Sequence, residues 1–148
     1  MSVTCEMRAN TDAPIGHEQA GSALVHGFYG RVLAGDAAGA IRECVAPDFV
    51  WENPLPKSIP FAGAFRGAAG AACYLELIFS HLDLEHFEID DVLMSGSTVV
   101  ILGRETVRVK ATNRRYTQQW VHVVKLRDGL ITKIREYNDC AAILQAFA

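Results

Sequence analysis

The stretch Ser97–Asn138, STVVILGRETVRVKATNRRYTQQWVHVVKLRDGLITKIREYN, reads as three consecutive strands. Thr112-Asn113 and Asp128-Gly129 are turn pairs, and the segments 97–110, 115–126 and 130–138 are rich in Val, Ile, Thr, Tyr and Trp. Working outward, 84–94 is a fourth such segment, set off by Ser95-Gly96. Upstream the period changes. Over Glu18–Ala34, Leu24, Val25, Phe28, Tyr29, Val32 and Leu33 recur at helical spacing. Gly35 stops that helix, and Asp36 is placed to cap a second one through Val45. Pro47-Asp48 predicts a turn, and Phe49–Asn53 a short strand ended by Pro54. Residues 54–66 hold three prolines and two aromatics and predict a covering loop. Gly67–His81 predicts a third helix, and 139–147 a final turn or two opened by Asp139. The expected organisation is an arm over residues 1–17 and one domain over 18–148. Its class is α+β, with helices on one face of an antiparallel sheet that curls around an apolar pocket.

Composition narrows the function. Half of the 148 residues are hydrophobic and 21% are charged, which is a globular balance, and the net charge of −3 argues against nucleic acid as a partner. Arg108, Lys110, Arg114 and Arg115 flank one turn and read as a solvated hairpin tip. Cys5, Cys44, Cys73 and Cys140 form no CxxC, so neither a metal site nor a secreted disulfide framework is expected. His81 and His86 lie beside Asp83 and Glu85 in what reads as a solvated turn. No phosphate loop, nucleophile motif, signal peptide or membrane span is legible, which predicts a cytoplasmic protein without membrane attachment.

Side chains alternate faces along a strand, so parity sorts the polar residues. In 97–110 the odd positions Val99, Ile101, Gly103, Val107 and Val109 are the buried face, and Glu105 lies among them. In the last strand Leu130, Thr132, Ile134, Glu136 and Asn138 share a face. In 115–126, Tyr116, Gln118, Trp120, His122 and Val124 form one face, but Val121 and Val123 make the other apolar too, so parity alone leaves it open. Asn53 falls with Phe49 and Trp51. An ionised carboxylate in apolar surroundings must find donors or neutralise, and two that share a site have their pKa values pushed apart. Set against this, Glu105 could sit at a solvated rim, Glu136 could pair with Arg135 or Arg104, and Asn53 before Pro54 could make an Asx turn.

Three segments carry a family likeness: GFYGRVLAGDAAGAIRECVAPDFVWENPLP, GRETVRVKATNRRYTQQWVHVVKLRDGLITKIREYND and CAAILQAF. They resemble the SnoaL-like, ketosteroid-isomerase-like branch of the nuclear transport factor 2-like superfamily over about residues 20–147. The resemblance implies a cone-shaped α+β barrel with three N-terminal helices, and a homodimer. Against ketosteroid isomerases, the general-base aspartate falls on Asn53, the oxyanion-hole tyrosine on Phe28 beside Tyr29, and the second acid near His122, so that activity is not expected. Against limonene epoxide hydrolases, Asn53 matches the water-positioning asparagine, Trp51 replaces a tyrosine, and Glu105 and Glu136 match the two acids. The bridging arginine falls on Gly103. Against SnoaL-type polyketide cyclases, Glu136 with His122 matches an acid beside a histidine.

The expectation is a cofactor-independent acid/base enzyme of isomerase, cyclase, lyase or epoxide-hydrolase type, acting on a small apolar molecule. Of the expected catalytic residues, Glu136 is the general base or acid, Glu105 its partner, His122 the group that orients or protonates, and Asn53 a hydrogen-bond partner of substrate or water. Trp51, Tyr29, Phe28, Trp120, Gln118, Val107 and Asn138 are its expected substrate contacts. No metal is called for. The alternative is a non-catalytic binding protein with the same pocket.

Overall fold

The computed structural model describes residues 16–148. The expected arm therefore lies almost wholly outside the described residues. Helix α1 spans His17–Leu33 and buries Val25, Phe28, Tyr29 and Val32. Gly35 turns the chain at φ 88°, where glycine has no Cβ to clash. The Asp36 side chain then accepts from the Gly39 amide (3.0 Å) and starts α2, Ala37–Cys44. Strand β1 (Val45–Asn53) follows at once, then β2 (Gly63–Arg66) and helix α3 (Gly67–His81). The meander β3 (Leu82–Ser95), β4 (Thr98–Val109), β5 (Arg115–Arg127) and β6 (Leu130–Tyr137) leads to α4, Cys140–Phe147.

The six strands form one sheet in the order β2-β1-β6-β5-β4-β3. Its turns use the expected chemistry: Asn113, Asp128 and Gly129 all take positive φ, as tight hairpins require. The sheet is not wholly antiparallel, however. β1 pairs parallel with β6, Trp51 opposite Ile134 and Glu52 opposite Arg135. Hairpin chemistry governs only chain neighbours, and β1 reaches β6 across the whole length of the domain, so no local signal marks its direction.

Two further departures have local causes. Pro47-Asp48 makes no turn before the strand; β1 starts at Val45 and runs through both residues, with an irregular register against β6 between Val45 and Val50, where a missing amide donor is tolerated. The expected loop also contains β2, whose four residues are mostly exposed and carry no alternating pattern. The rest of that loop buries Leu55, Ile59 and Phe61.

Burial settles the faces. Val99, Ile101, Gly103, Val107 and Val109 of β4 are buried, and so are Tyr116, Gln118, Trp120, His122 and Val124 of β5. Val121 and Val123 lie on the outer face and are half-buried. In β6 parity fails at the start: Ile131 is buried while Leu130 and Thr132 are not. The β5–β6 register shifts between Lys125 and Leu126, and that bulge restores Ile134 and Glu136 to the interior. A register shift in β3 between Leu84 and His86 likewise turns Phe87 and Ile89 inward.

The outer face is laced by ion pairs. Arg104 meets Glu88 (3.0 Å), Arg115 meets Glu85 (2.9 Å), Arg108 pairs with Asp83, and Arg135 meets Glu52 (2.7 Å). At the β4–β5 tip, Thr112 donates to the Ala146 carbonyl (2.6 Å) and Arg114 to that of Gln145 (3.3 Å), so the tip holds the open C-terminal carbonyls of α4. Among the described residues no helix is long and apolar enough to cross a membrane.

Gly103 lies opposite Trp120 on the neighbouring strand, and a Cβ at Gly103 would overlap the indole ring. The aromatic wall of the interior thus depends on a missing side chain. Gly103→Ala is expected to cost about 1–3 kcal/mol through overpacking. That corresponds to a fall in melting temperature of roughly 3–10 °C, readable by calorimetry.

Candidate functional site

Helices α1, α3 and α4 and the concave face of the sheet enclose a cavity of about 90 Å³, room for several waters or a small ligand. Most of its wall is apolar: Phe28, Tyr29, Trp51, Phe61, Leu75, Ile78, Phe87, Trp120 and Ile143 all line it. Glu105, Gln118, His122, Glu136, Asn53, Asn138 and Tyr74 are set into that wall. The register explains the gathering. Glu105 stands opposite Gln118, and His122 opposite Glu136, so four inward polar groups fall on two cross-strand pairs either side of Trp120.

Glu136 is 7% exposed and is the centre of the cluster. Its Oε2 accepts from the Trp51 indole (2.6 Å) and the Tyr74 hydroxyl (2.5 Å). Its Oε1 faces His122 Nε2 at 3.3 Å and accepts from Asn138 (3.3 Å) and, at longer range, Asn53 (3.5 Å). Burial alone would raise the carboxyl's pKa. The facing His122 and the donors from His122, Tyr74 and Trp51 outweigh that and hold it below its ordinary value. Glu136 is therefore ionised at neutral pH, and an ionised carboxylate only accepts, so His122 Nε2 carries a proton toward it. The other ring nitrogen, Nδ1, meets the Tyr29 hydroxyl at 2.7 Å. Burial, reinforced by the Glu136 charge, lifts Tyr29 and Tyr74 well above the usual phenol value, so both stay neutral.

Glu105 is set differently. Its Oε1 accepts from Gln118 (2.7 Å), and among the described residues Gln118 is its only hydrogen-bond partner. It keeps some accessible surface because it lines the cavity, yet the surrounding protein strips it of bulk water. Burial raises its pKa to about 7, with the Gln118 bond and His122 opposing and the Glu136 charge adding to the rise. Two carboxyls on one wall thus hold opposite states: Glu136 is charged and saturated, and Glu105 changes charge near neutrality.

The expected site residues are nearly all on this cavity. The exception is Val107, which is fully buried but does not line it; Leu84 and Tyr116, opposite Val107 on the flanking strands, do. Arg104 and Arg135 point outward to Glu88 and Glu52, so neither meets Glu136. Asn53 makes no Asx turn; its side chain is wholly engaged with Tyr74, Glu136 and Asn138. Gly103, where the bridging arginine falls in the epoxide-hydrolase alignment, is filled by Trp120. Sequence reasoning missed Tyr74, which reads simply as an apolar position of α3. The available signal was the hydroxyl, since a buried tyrosine normally finds a partner for it. Among the described residues no three His, Cys, Asp or Glu side chains are grouped to hold a metal.

A SnoaL-like domain model matches residues 25–134. The chain belongs to the SnoaL-like domain family. Solved structures agree on the fold. An NTF2-like protein from Burkholderia xenovorans is 29% identical, with a TM-score of 0.78 over 88% of this chain and 98% of that one. A provisionally assigned isomerase from Bacillus subtilis is 22% identical, TM-score 0.75, covering 90% and 96%. A provisionally assigned SnoaL-like polyketide cyclase from Mesorhizobium loti is 19% identical, TM-score 0.64, covering 78% and 97%. No curated protein matches the chain significantly. Within this SnoaL-like domain the helices and mixed sheet form the cone characteristic of NTF2-like folds, and the carboxyl pair occupies its interior.

The two glutamates should leave opposite marks on stability. Because the folded Glu136 pKa lies below its unfolded value, its contribution is present at neutral pH and is lost as pH falls through the folded pKa. Tyr74→Phe removes one charge-assisted bond and is expected to cost about 1.5–3 kcal/mol in urea unfolding at pH 7, with a smaller loss in acid. Glu105 has its folded pKa raised to about 7, so ionising it above that pH destabilises the fold. Glu105→Gln should therefore melt higher than wild type at pH 8, an advantage that vanishes by pH 4.

Proposed function

We propose that this SnoaL-like domain is a cofactor-independent acid/base enzyme acting on a small, largely apolar molecule, with Glu105 as the proton-transfer group. The observation that carries this reading is the contrast between the carboxyls. Glu105 reaches an apolar cavity with one oxygen free of protein partners among the described residues and a pKa of about 7, whereas every oxygen of Glu136 is engaged. A group that titrates near the working pH is the effective general base, and such a positioned group contributes about 10²–10⁴-fold.

Glu136 has a different task in this reading. It fixes the His122 ring, and His122 in turn faces the Tyr29 hydroxyl on the cavity wall. Glu105 removes a proton from the substrate, or from a water attacking it, and Tyr29 hydrogen-bonds the oxygen on which negative charge develops. To donate there the Tyr29 hydroxyl turns its single hydrogen from His122 Nδ1 to that oxygen, and Glu105 returns the proton it took as the reaction completes. Isomerisation, aldol-type cyclisation, elimination and epoxide opening all use this pairing of acceptor and donor. The isomerase and cyclase descriptions of structural neighbours agree with that range.

The test is turnover of a panel of small apolar ketones, enones and epoxides by wild type and Glu105→Gln. For a panel member that reacts, kcat/KM should rise as pH increases through about 7, as a base that must be ionised requires. Glu105→Gln should lower kcat/KM by about 10²–10⁴-fold and abolish that rise, with binding retained. Full turnover by the variant would remove Glu105 from the chemistry. Panel members that bind in the cavity yet are never turned over would make the domain a small-molecule binder.

A further inference from the structure

Glu105 and Glu136 are both supplied with amide donors by Gln118, Asn138 and Asn53, and the directions of these bonds are linked. The Asp139 backbone amide donates to Gln118 Oε1 at 2.8 Å. A backbone N–H has only one polarity, so it fixes which end of the Gln118 amide is oxygen. Gln118 Nε2 must then face the other way, and its two hydrogens go to Glu105 Oε1 (2.7 Å) and Asn138 Oδ1 (2.9 Å). With its oxygen occupied, Asn138 turns its Nδ2 toward Asn53 Oδ1 (3.1 Å) and Glu136 Oε1 (3.3 Å). Asn53, accepting at its oxygen, gives its Nδ2 to Tyr74 (3.1 Å) and Glu136. Gln118 and Asn138 each accept from the amide before and donate to the next and to a carboxylate, and Asn53 ends the line on Tyr74 and Glu136. Flipping any one of them would set donor against donor on one side and oxygen against carboxylate on the other.

We infer that Gln118, Asn138 and Asn53 form a one-way donor relay, set in polarity by the Asp139 amide at the start of α4, which positions both glutamates. The anchor is well held. The Asp139 carboxylate caps α4 through the Ala142 amide (3.1 Å), while Thr112 and Arg114 hold the far end of the helix. The charge of the acid pair therefore depends on where the C-terminal helix docks. The inference uses the reading of Glu105 as a proton-transfer group only for its consequence in turnover.

The relay predicts an effect at a distance, and a sign. Gln118→Met keeps the bulk of the side chain but removes both donors. Glu105 also faces Glu136 and His122, with Tyr116 nearby; Glu136 faces His122, Tyr74, Tyr29 and Glu105. None of these is altered by the substitution. Losing its only donor should raise the pKa of Glu105 by about one unit or more. Gln118 does not touch Glu136, yet Glu136 should rise too, because Asn138 is no longer held with its donors toward it. Charge coupling alone predicts the opposite, since a more protonated Glu105 would let Glu136 ionise more easily.

The experiment is carbon-13 NMR titration of the side-chain carboxyls in the full chain, for wild type, Gln118→Met and Asn138→Ser. Upward shifts at both glutamates in Gln118→Met support the relay. So does an upward shift at Glu136 alone in Asn138→Ser, because Gln118 there remains fixed by Asp139. A Gln118→Met protein in which Glu105 rises while Glu136 stays or falls overturns the relay and leaves Gln118 a local partner. Should Gln118→Met fail to fold, Asn138→Ser decides: no movement of Glu136 overturns the relay. The pH profile separates the two proposals. Carboxyl shifts as predicted, with an unmoved kcat/KM limb, would keep the relay and remove Glu105 from catalysis.

Discussion

An ionised carboxylate in the middle of the domain is the constraint on which the rest of the interior depends. Moving such a charge out of water costs several kcal/mol unless donors surround it. The donors around Glu136 come from the length of the chain: Trp51 and Asn53 from β1, Tyr74 from α3, His122 from β5, and Asn138 just after β6. No one element can supply them. The parallel docking of β1 beside β6 brings Trp51 to Glu136, and α3 must cross the sheet for Tyr74 to reach the same oxygen. Removing any of these contacts leaves a buried charge short of partners, so the architecture and the electrostatics of the site are one problem.

The aromatic residues solve the other half of it. Trp51 packs on Tyr74 with ring centroids 4.4 Å apart, Trp120 on His122 at 4.3 Å, and Phe87 stacks on Trp120 at 4.9 Å. These rings make the surroundings of both carboxyls apolar, which strengthens each hydrogen bond to Glu136 and raises the cost of charging Glu105. One wall therefore holds both an anion and a carboxyl that changes charge near neutrality. The difference lies in the number of donors: among the described residues five groups reach Glu136, while Gln118 alone reaches Glu105.

Much of this is legible in the sequence. Hairpin chemistry at Thr112-Asn113 and Asp128-Gly129 fixed the meander, because those turns need backbone conformations few other pairs adopt. Alternation along β4 identified Glu105 as an inward acid, and the same logic reached Glu136 through Ile134 even though a bulge breaks the parity at Ile131. Tyr74 and the saturated state of Asn53 were not legible. Each depends on which atoms meet across the sheet–helix boundary, and a hydroxyl on a helix carries no sign of the carboxylate it will face. Val107 shows the converse: parity gives a face, but two facing side chains decide who lines the cavity.

The sequence by itself determined the α+β order, the antiparallel run of long strands, the membership of the inner wall and the presence of two acids on it. These follow from local periodicity and turn geometry, which act over a few residues. Tertiary structure alone decided the parallel pairing of β1 and the separate states of Glu105 and Glu136. The physical reason is that a pKa in an apolar cavity is set by the count and direction of hydrogen bonds from distant segments. Those bonds exist only once α1, α3, α4 and the sheet have closed around the same space.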